Sequence, residues 1–83
     1  MHDELYERLV NCFKRVFVNL DRSAIPAATH ESIAEWDSIA HVTLHSLIVE
    51  EFGIDIDFEE FDEATSFSAI LDLIRTRTAN VQP

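Results

Sequence analysis

Six serines are present: Ser23, Ser32, Ser38, Ser46, Ser66 and Ser68. Only Ser38 opens a strongly amphipathic stretch, directly after an acid, Asp37, and before a large aliphatic residue, Ile39. A phosphate diester on that hydroxyl would meet unpaired backbone N–H groups and the positive end of a helix dipole. Chemistry of this kind needs an exposed hydroxyl and a recognition surface, not a deep pocket. A simpler role is open to the same residues, because Asp37 and Ser38 are both competent helix N-caps.

Other constellations are weaker. His41 and His45 stand at i, i+4, a spacing that can put two zinc ligands on one helix face. The glutamate of the metalloprotease motif is missing, since the residues between them are Val42, Thr43 and Leu44. Surface or partly packed histidines are the plainer reading, and their titration could make docking sensitive to mild acid. Ser38 and His41 at i, i+3 resemble a nucleophile and base, but no third group is placed to orient the imidazole. The run Asp55, Asp57, Glu59 begins like a calcium loop and then fails: Glu60 replaces the glycine and Ser66 the final bidentate glutamate. Cys12, Phe13 and Phe17 read as core, with no redox role for the thiol.

The elements that position Ser38 follow from periodicity. Leu5, Leu9, Cys12/Phe13, Val16 and Leu20 recur at helical steps, which predicts a first helix from about Asp3 to Val18. Residues 19–37 lose that period and form a long first connection pinned by Leu20, Ile25, Ile33 and Trp36; long ordered loops are often functional. The period resumes at Ser38. Ile39, Val42, Leu44, Leu47, Ile48 and Phe52 form one wide apolar face that Gly53 ends. A short helical turn is predicted over Phe58 to Asp62, then a last helix capped by Thr65 or Ser66 and carrying Phe67, Ile70, Leu71 and Ile74. Asn80 to Pro83 are expected to fray. The fold class is all-α: a small antiparallel four-helix bundle, three main helices plus one short one, in a single domain over 1–83 with about 3–78 ordered.

Composition narrows the function. The chain has 83 residues, 16 acids and 6 bases, for a net charge of −10. So short a chain closes one modest core and leaves little wall for a water-excluding active site. The charge repels nucleic-acid phosphates and anionic lipid, so neither is an expected partner; cationic protein surfaces are. All six bases lie toward the ends, whereas residues 23–74 hold 12 acids and no Lys or Arg. That asymmetry suits either a solvated surface or a docking face for basic partners. Cys12 stands alone, which excludes an internal disulfide and a cysteine-based zinc site. No run nears the roughly 20 apolar residues that span a bilayer, and Met1-His2-Asp3-Glu4 is acidic where a signal peptide is basic. A cytoplasmic monomer is the expectation.

The stretch Glu35-Trp36-Asp37-Ser38-Ile39, followed by Val42 and Leu44 and closing Glu50-Glu51-Phe52-Gly53-Ile54, resembles the acyl carrier proteins. The likeness continues through Ile56, Phe67 and Ile70 to Ile74 and, with the first helix, covers nearly the whole chain. It implies a non-catalytic carrier whose Ser38 receives phosphopantetheine from coenzyme A through a phosphopantetheinyl transferase. The arm would then hold acyl, aminoacyl or polyketide groups as thioesters for biosynthetic enzymes with basic docking surfaces. It further implies that Asp37, Ile39, Val42, Glu50, Glu51 and Asp62 serve partner recognition.

Trp36-Asp-Ser resembles free-standing carriers outside housekeeping fatty acid synthesis. Ala40 and Thr43 replace acids usual in fatty acid carriers, and His45 a residue usually apolar. Phe61 and Ile70 are bulkier than the residues many acyl-sequestering carriers have, so a short or polar cargo is expected to stay outside the bundle. The alternative is an acidic helical interaction module without a prosthetic group, in which Ser38 is only a cap.

Overall fold

The computed structural model describes residues 4–80, with side chains through residue 78. The amphipathic period of the first segment gives α1 (Glu4–Val16), which buries Leu9, Val10, Cys12 and Phe13. Glu4 and Glu7 occupy its first turn and Lys14 and Arg15 its last, matching the helix dipole. The expected start at Asp3 lies outside the described residues. The helix also ends two residues before Val18, because Lys14 Nζ donates to the carbonyls of Val18 (3.0 Å) and Leu20 (2.7 Å) and folds the chain back over the helix end.

The long connection is more regular than its aperiodic sequence suggests. Arg22–Ala27 form a 3-10 helix that includes Pro26 and buries Ile25 completely. Further on, His30 N–H donates to Thr65 O (2.8 Å) and Phe67 N–H to Ala28 O (3.0 Å), an isolated antiparallel bridge that staples the connection to the start of the last helix. Thr29 and Ser32 brace it by exchanging backbone-to-hydroxyl bonds of 3.0 Å each way. Trp36, 1% exposed, then inserts its ring edge-on against Phe13 at 5.4 Å.

α2 (Ser38–Phe52) stops at Gly53, whose φ of 63° is the left-handed conformation that glycine adopts without a Cβ clash. The short α3 (Phe58–Asp62) follows, and then α4 (Phe67–Asn80), where Ser66 Oγ caps the Ala69 N–H at 3.0 Å. α4 runs through Asn80; the rest of the segment expected to fray, residues 81–83, lies outside the described residues. α1 and α2 are antiparallel: Arg8, near the start of α1, pairs with Glu51 at the end of α2, while Phe13 meets Trp36 just before α2 begins.

The core joins Leu9 and Phe13 of α1, Leu44 and Ile48 of α2, Phe61 of α3, and Phe67, Ile70 and Ile74 of α4. The result is an all-α small bundle with no strand among the described residues. No helix among those residues is long and apolar enough to cross a membrane.

One expectation about α2 is overturned. Its apolar residues do not share a face: Leu44 and Ile48 are buried, but Ile39 is 77% and Val42 50% exposed. The inward position one turn before Leu44 is held instead by His41, 5% exposed. A helix steps about 100° per residue, so one side holds 41, 44 and 48 and another holds 39, 42 and 46. Packing selects the first set because α3 and its approach offer partners for the histidines.

Candidate functional site

The start of α2 is built by division of labour between neighbouring residues. Asp37 is the N-cap, and its carboxylate accepts the Ala40 N–H at 2.9 Å. Ser38 is therefore the first helical residue and not the cap. Its side chain is exposed and makes no hydrogen bond among the described residues. By position, the N–H groups of Ser38 and Ile39 have no intrahelical acceptor and point out of the helix end. A reactive or modifiable hydroxyl at this point needs this combination of a filled cap and an unengaged oxygen.

Trp36 and His41 flank the cap as its N′ and N4 residues, the two positions that pack together in a hydrophobic staple. Here the staple is polar as well. The rings stack at 6.0 Å and 29°, and indole Nε1–H donates to His41 Nδ1 at 2.9 Å. An indole N–H can only donate, so Nδ1 is the unprotonated acceptor and the ring proton resides on Nε2. Nε2–H in turn donates to the Phe61 carbonyl of α3 at 3.2 Å. Phe61 packs on the same imidazole, with centroids 4.6 Å apart.

His45 repeats the arrangement one turn on: its Nε2 bonds the Ile56 carbonyl at 2.7 Å while Phe58 and Phe61 pack on its ring. Two histidines thus clamp α2 to α3 and the segment before it. Burial holds His41 below the ordinary histidine range; the Phe61 bond and Asp62 oppose that shift, and His30 and His45 add to it.

These contacts bear on two of the sequence readings. The i, i+4 histidines face backbone carbonyls on the neighbouring segments, and among the described residues no group of three or more His, Cys, Asp or Glu could hold a metal. The imidazole of His41 is oriented after all, by Trp36 and Phe61. Nδ1 and Nε2 are both engaged, however, so in this arrangement the ring has no lone pair directed at Ser38. Cys12 is buried, and its thiol is pushed up to about 11, first by burial and then by Glu51, which disfavours the nucleophilic thiolate.

The sequence-predicted recognition residues divide into two groups. Asp37, Ser38, Ile39 and Val42 lie together on the exposed first turns of α2. Asp62 joins them across a surface depression of about 240 Å³ lined by His30, Ser38, His41, Asp62 and Thr65. Its carboxylate lies 3.7 Å from His41 Nε2. Glu50 and Glu51 sit at the far end of the helix, about 18 Å away at 1.5 Å per residue. Glu51 is not a free charge: Arg8 Nε binds it at 3.0 Å, and the Arg8 guanidinium covers the Phe52 ring at 4.7 Å.

Neither His30 nor Thr65 was read as a site residue, since the Thr29–Ser66 bridge between distant segments brings them beside Ser38. The Trp36–His41 pair was legible in principle from N′–N4 spacing around an Asp cap. No protein-family model, curated protein or solved structure matches the chain.

Proposed function

We propose that this chain is a non-catalytic carrier whose Ser38 bears a phosphopantetheine arm. One observation carries the reading: Asp37 takes over capping, which leaves the Ser38 hydroxyl exposed and unengaged on the first turn of α2. The surroundings fit a phosphate diester. The outward N–H groups of residues 38 and 39 would face its oxygens, and the adjoining depression has room for the first atoms of the arm.

Attachment forms a bond between Ser38 Oγ and the pantetheine-side phosphorus of coenzyme A. The pyrophosphate bond breaks, adenosine 3′,5′-bisphosphate leaves, and the hydroxyl proton passes to the transferase. Once attached, the arm supplies a thiol that holds an acyl group as a thioester. The chain's own contribution is to present that group at high effective concentration to successive enzymes. Ile39 and Val42 offer those enzymes an apolar contact beside the attachment point, with Asp62 as the adjoining acid and Glu50 as a second one at the far end of α2.

A short or polar cargo held outside the bundle suits the same site. Phe61 and Ile70 are fully buried, and the rings of His41 and His45 pack on Phe61 in the seam between α2 and α3 nearest Ser38.

Incubation with a broad-specificity phosphopantetheinyl transferase and coenzyme A, followed by intact mass measurement, tests the carrier reading. The mass of the arm should appear on the wild type and be absent from Ser38→Ala. Folded wild-type protein that gains no mass would favour the acidic interaction module.

A further inference from the structure

Among the buried polar groups, one bridge connects the modification site to a second element: Trp36, which precedes Asp37-Ser38, is held by His41, and His41 is held by α3. The bridge requires a neutral ring. A proton on Nδ1 would set an imidazolium N–H against the indole N–H at 2.9 Å, donor against donor, and would release Trp36.

We propose that His41 is a positioning residue for modification of Ser38: its neutral Nε2–H form holds the Trp36–Asp37–Ser38 turn against α3, and its protonation lets that turn go.

The geometry defines what competes for the proton. From α3, the Asp62 carboxylate at 3.7 Å from Nε2 favours the charged ring, but it is well exposed and screened by solvent. From the connection, His30 lies beside Trp36 with centroids 6.2 Å apart, and from α2 itself His45 shares the Phe61 ring; each disfavours a second positive charge when protonated. The remaining neighbours, Trp36, Phe58 and Phe61, are uncharged rings that exclude water. Both ring nitrogens are satisfied in the neutral tautomer and one is in conflict in the cation, so the bridge breaks as a unit when the ring takes up a second proton.

The bridge can be tested apart from the carrier reading, although its role in modification rests on that reading. Nitrogen NMR of the unmodified wild type should find the Nε2–H tautomer of His41 at pH 7.5. The Trp36 indole N–H resonance should shift with the same midpoint as the His41 ring. An Nδ1–H tautomer, or an indole resonance that stays still while His41 titrates, overturns the proposal without any variant.

The second arm measures modification rates with a phosphopantetheinyl transferase and coenzyme A at pH 5.5 to 8. His41→Gln keeps a donor for Phe61 but offers Trp36 no ring acceptor and does not titrate. It should be modified roughly fivefold more slowly than wild type at pH 7.5, the factor that one lost neutral hydrogen bond represents. The wild-type advantage should shrink toward pH 5.5; taking the ratio cancels the transferase's own pH profile. Trp36→Phe should show the same slowing and raise the His41 midpoint, because the opposing donor is gone. Equal rates for wild type and both variants at every pH would overturn the positioning role and leave the carrier reading intact. A wild type that gains no mass at all would overturn both.

Discussion

α1 and α2 are neighbours of similar length that obey opposite rules. In α1, polarity sorts by face: Leu9, Val10 and Phe13 are buried while Glu4, Glu7 and Arg15 face water. In α2 it does not, since two histidines turn inward while Ile39 and Val42 stay in solvent. A helix built only for stability gains nothing by exposing Ile39 and burying His41. The inversion is therefore best read as a division of roles. On the proposed carrier reading, α1 holds the core together, and α2 gives up part of its apolar surface to present it beside Ser38.

The sharpest test of that contrast is truncation in α1. Phe13 is fully buried and touches Phe17, Trp36 and Phe67 edge-on or tilted within 6 Å. Phe13→Ala should cost about 3–5 kcal/mol, read as a lowered denaturant midpoint, and in a domain this small it will leave much of the population unfolded.

The inward face of α2 should be less costly to disrupt, but pH-sensitive. His41→Ala leaves the buried Trp36 N–H without its acceptor and should destabilise by about 1–3 kcal/mol. In the wild type, the folded pKa of His41 lies below its ordinary value of 6.5. As pH falls below that value the unfolded chain takes up a proton that the folded chain refuses, so stability declines until pH passes the folded pKa. The slope from this one group is at most about 1.4 kcal/mol per pH unit. Urea titrations at pH 7.5, 6.5 and 5.5 should show the decline in wild type, and His41→Gln should remove that component. A wild-type decline no steeper than that of the variant would mean that His41 does not hold α2 in place.

The smallest effect on stability belongs to the outward face. Ile39→Ala should stay within about 0.5 kcal/mol of wild type in the same titration. It should nevertheless slow arm transfer several-fold if Ile39 is a contact for the transferase. A large stability loss would show that Ile39 is a packing residue and erase the difference between the two helices.

Several elements could be located from local signals alone. Gly53 ends α2 because the left-handed turn there favours a residue without a side chain, and Ser66 caps α4 through its own hydroxyl. α3 lies where the Phe58–Asp62 pattern put it. Ser38 was singled out by the acid before it and the amphipathic stretch after it, and it heads α2. The 3-10 helix Arg22–Ala27 was not legible, since its only period is set by Ile25 finding the core. Nor was the orientation of α2, because its apolar residues outnumber the places on one face.

Sequence by itself pointed to three long helices, to the Gly53 stop of α2 and the Ser66 cap of α4, to the acidic charge balance, and to a serine placed directly after a capping acid. Each of these depends on residues within a few positions of one another. Tertiary structure alone decided which side of α2 faces inward and that His30, Thr65 and Asp62 surround the hydroxyl. Those outcomes turn on partners far away in the chain, above all the Phe61 and Ile56 carbonyls that make one buried and one half-buried imidazole tolerable. A polar ring can occupy a core position only where both of its demands are met, and no local pattern reveals where such partners will be.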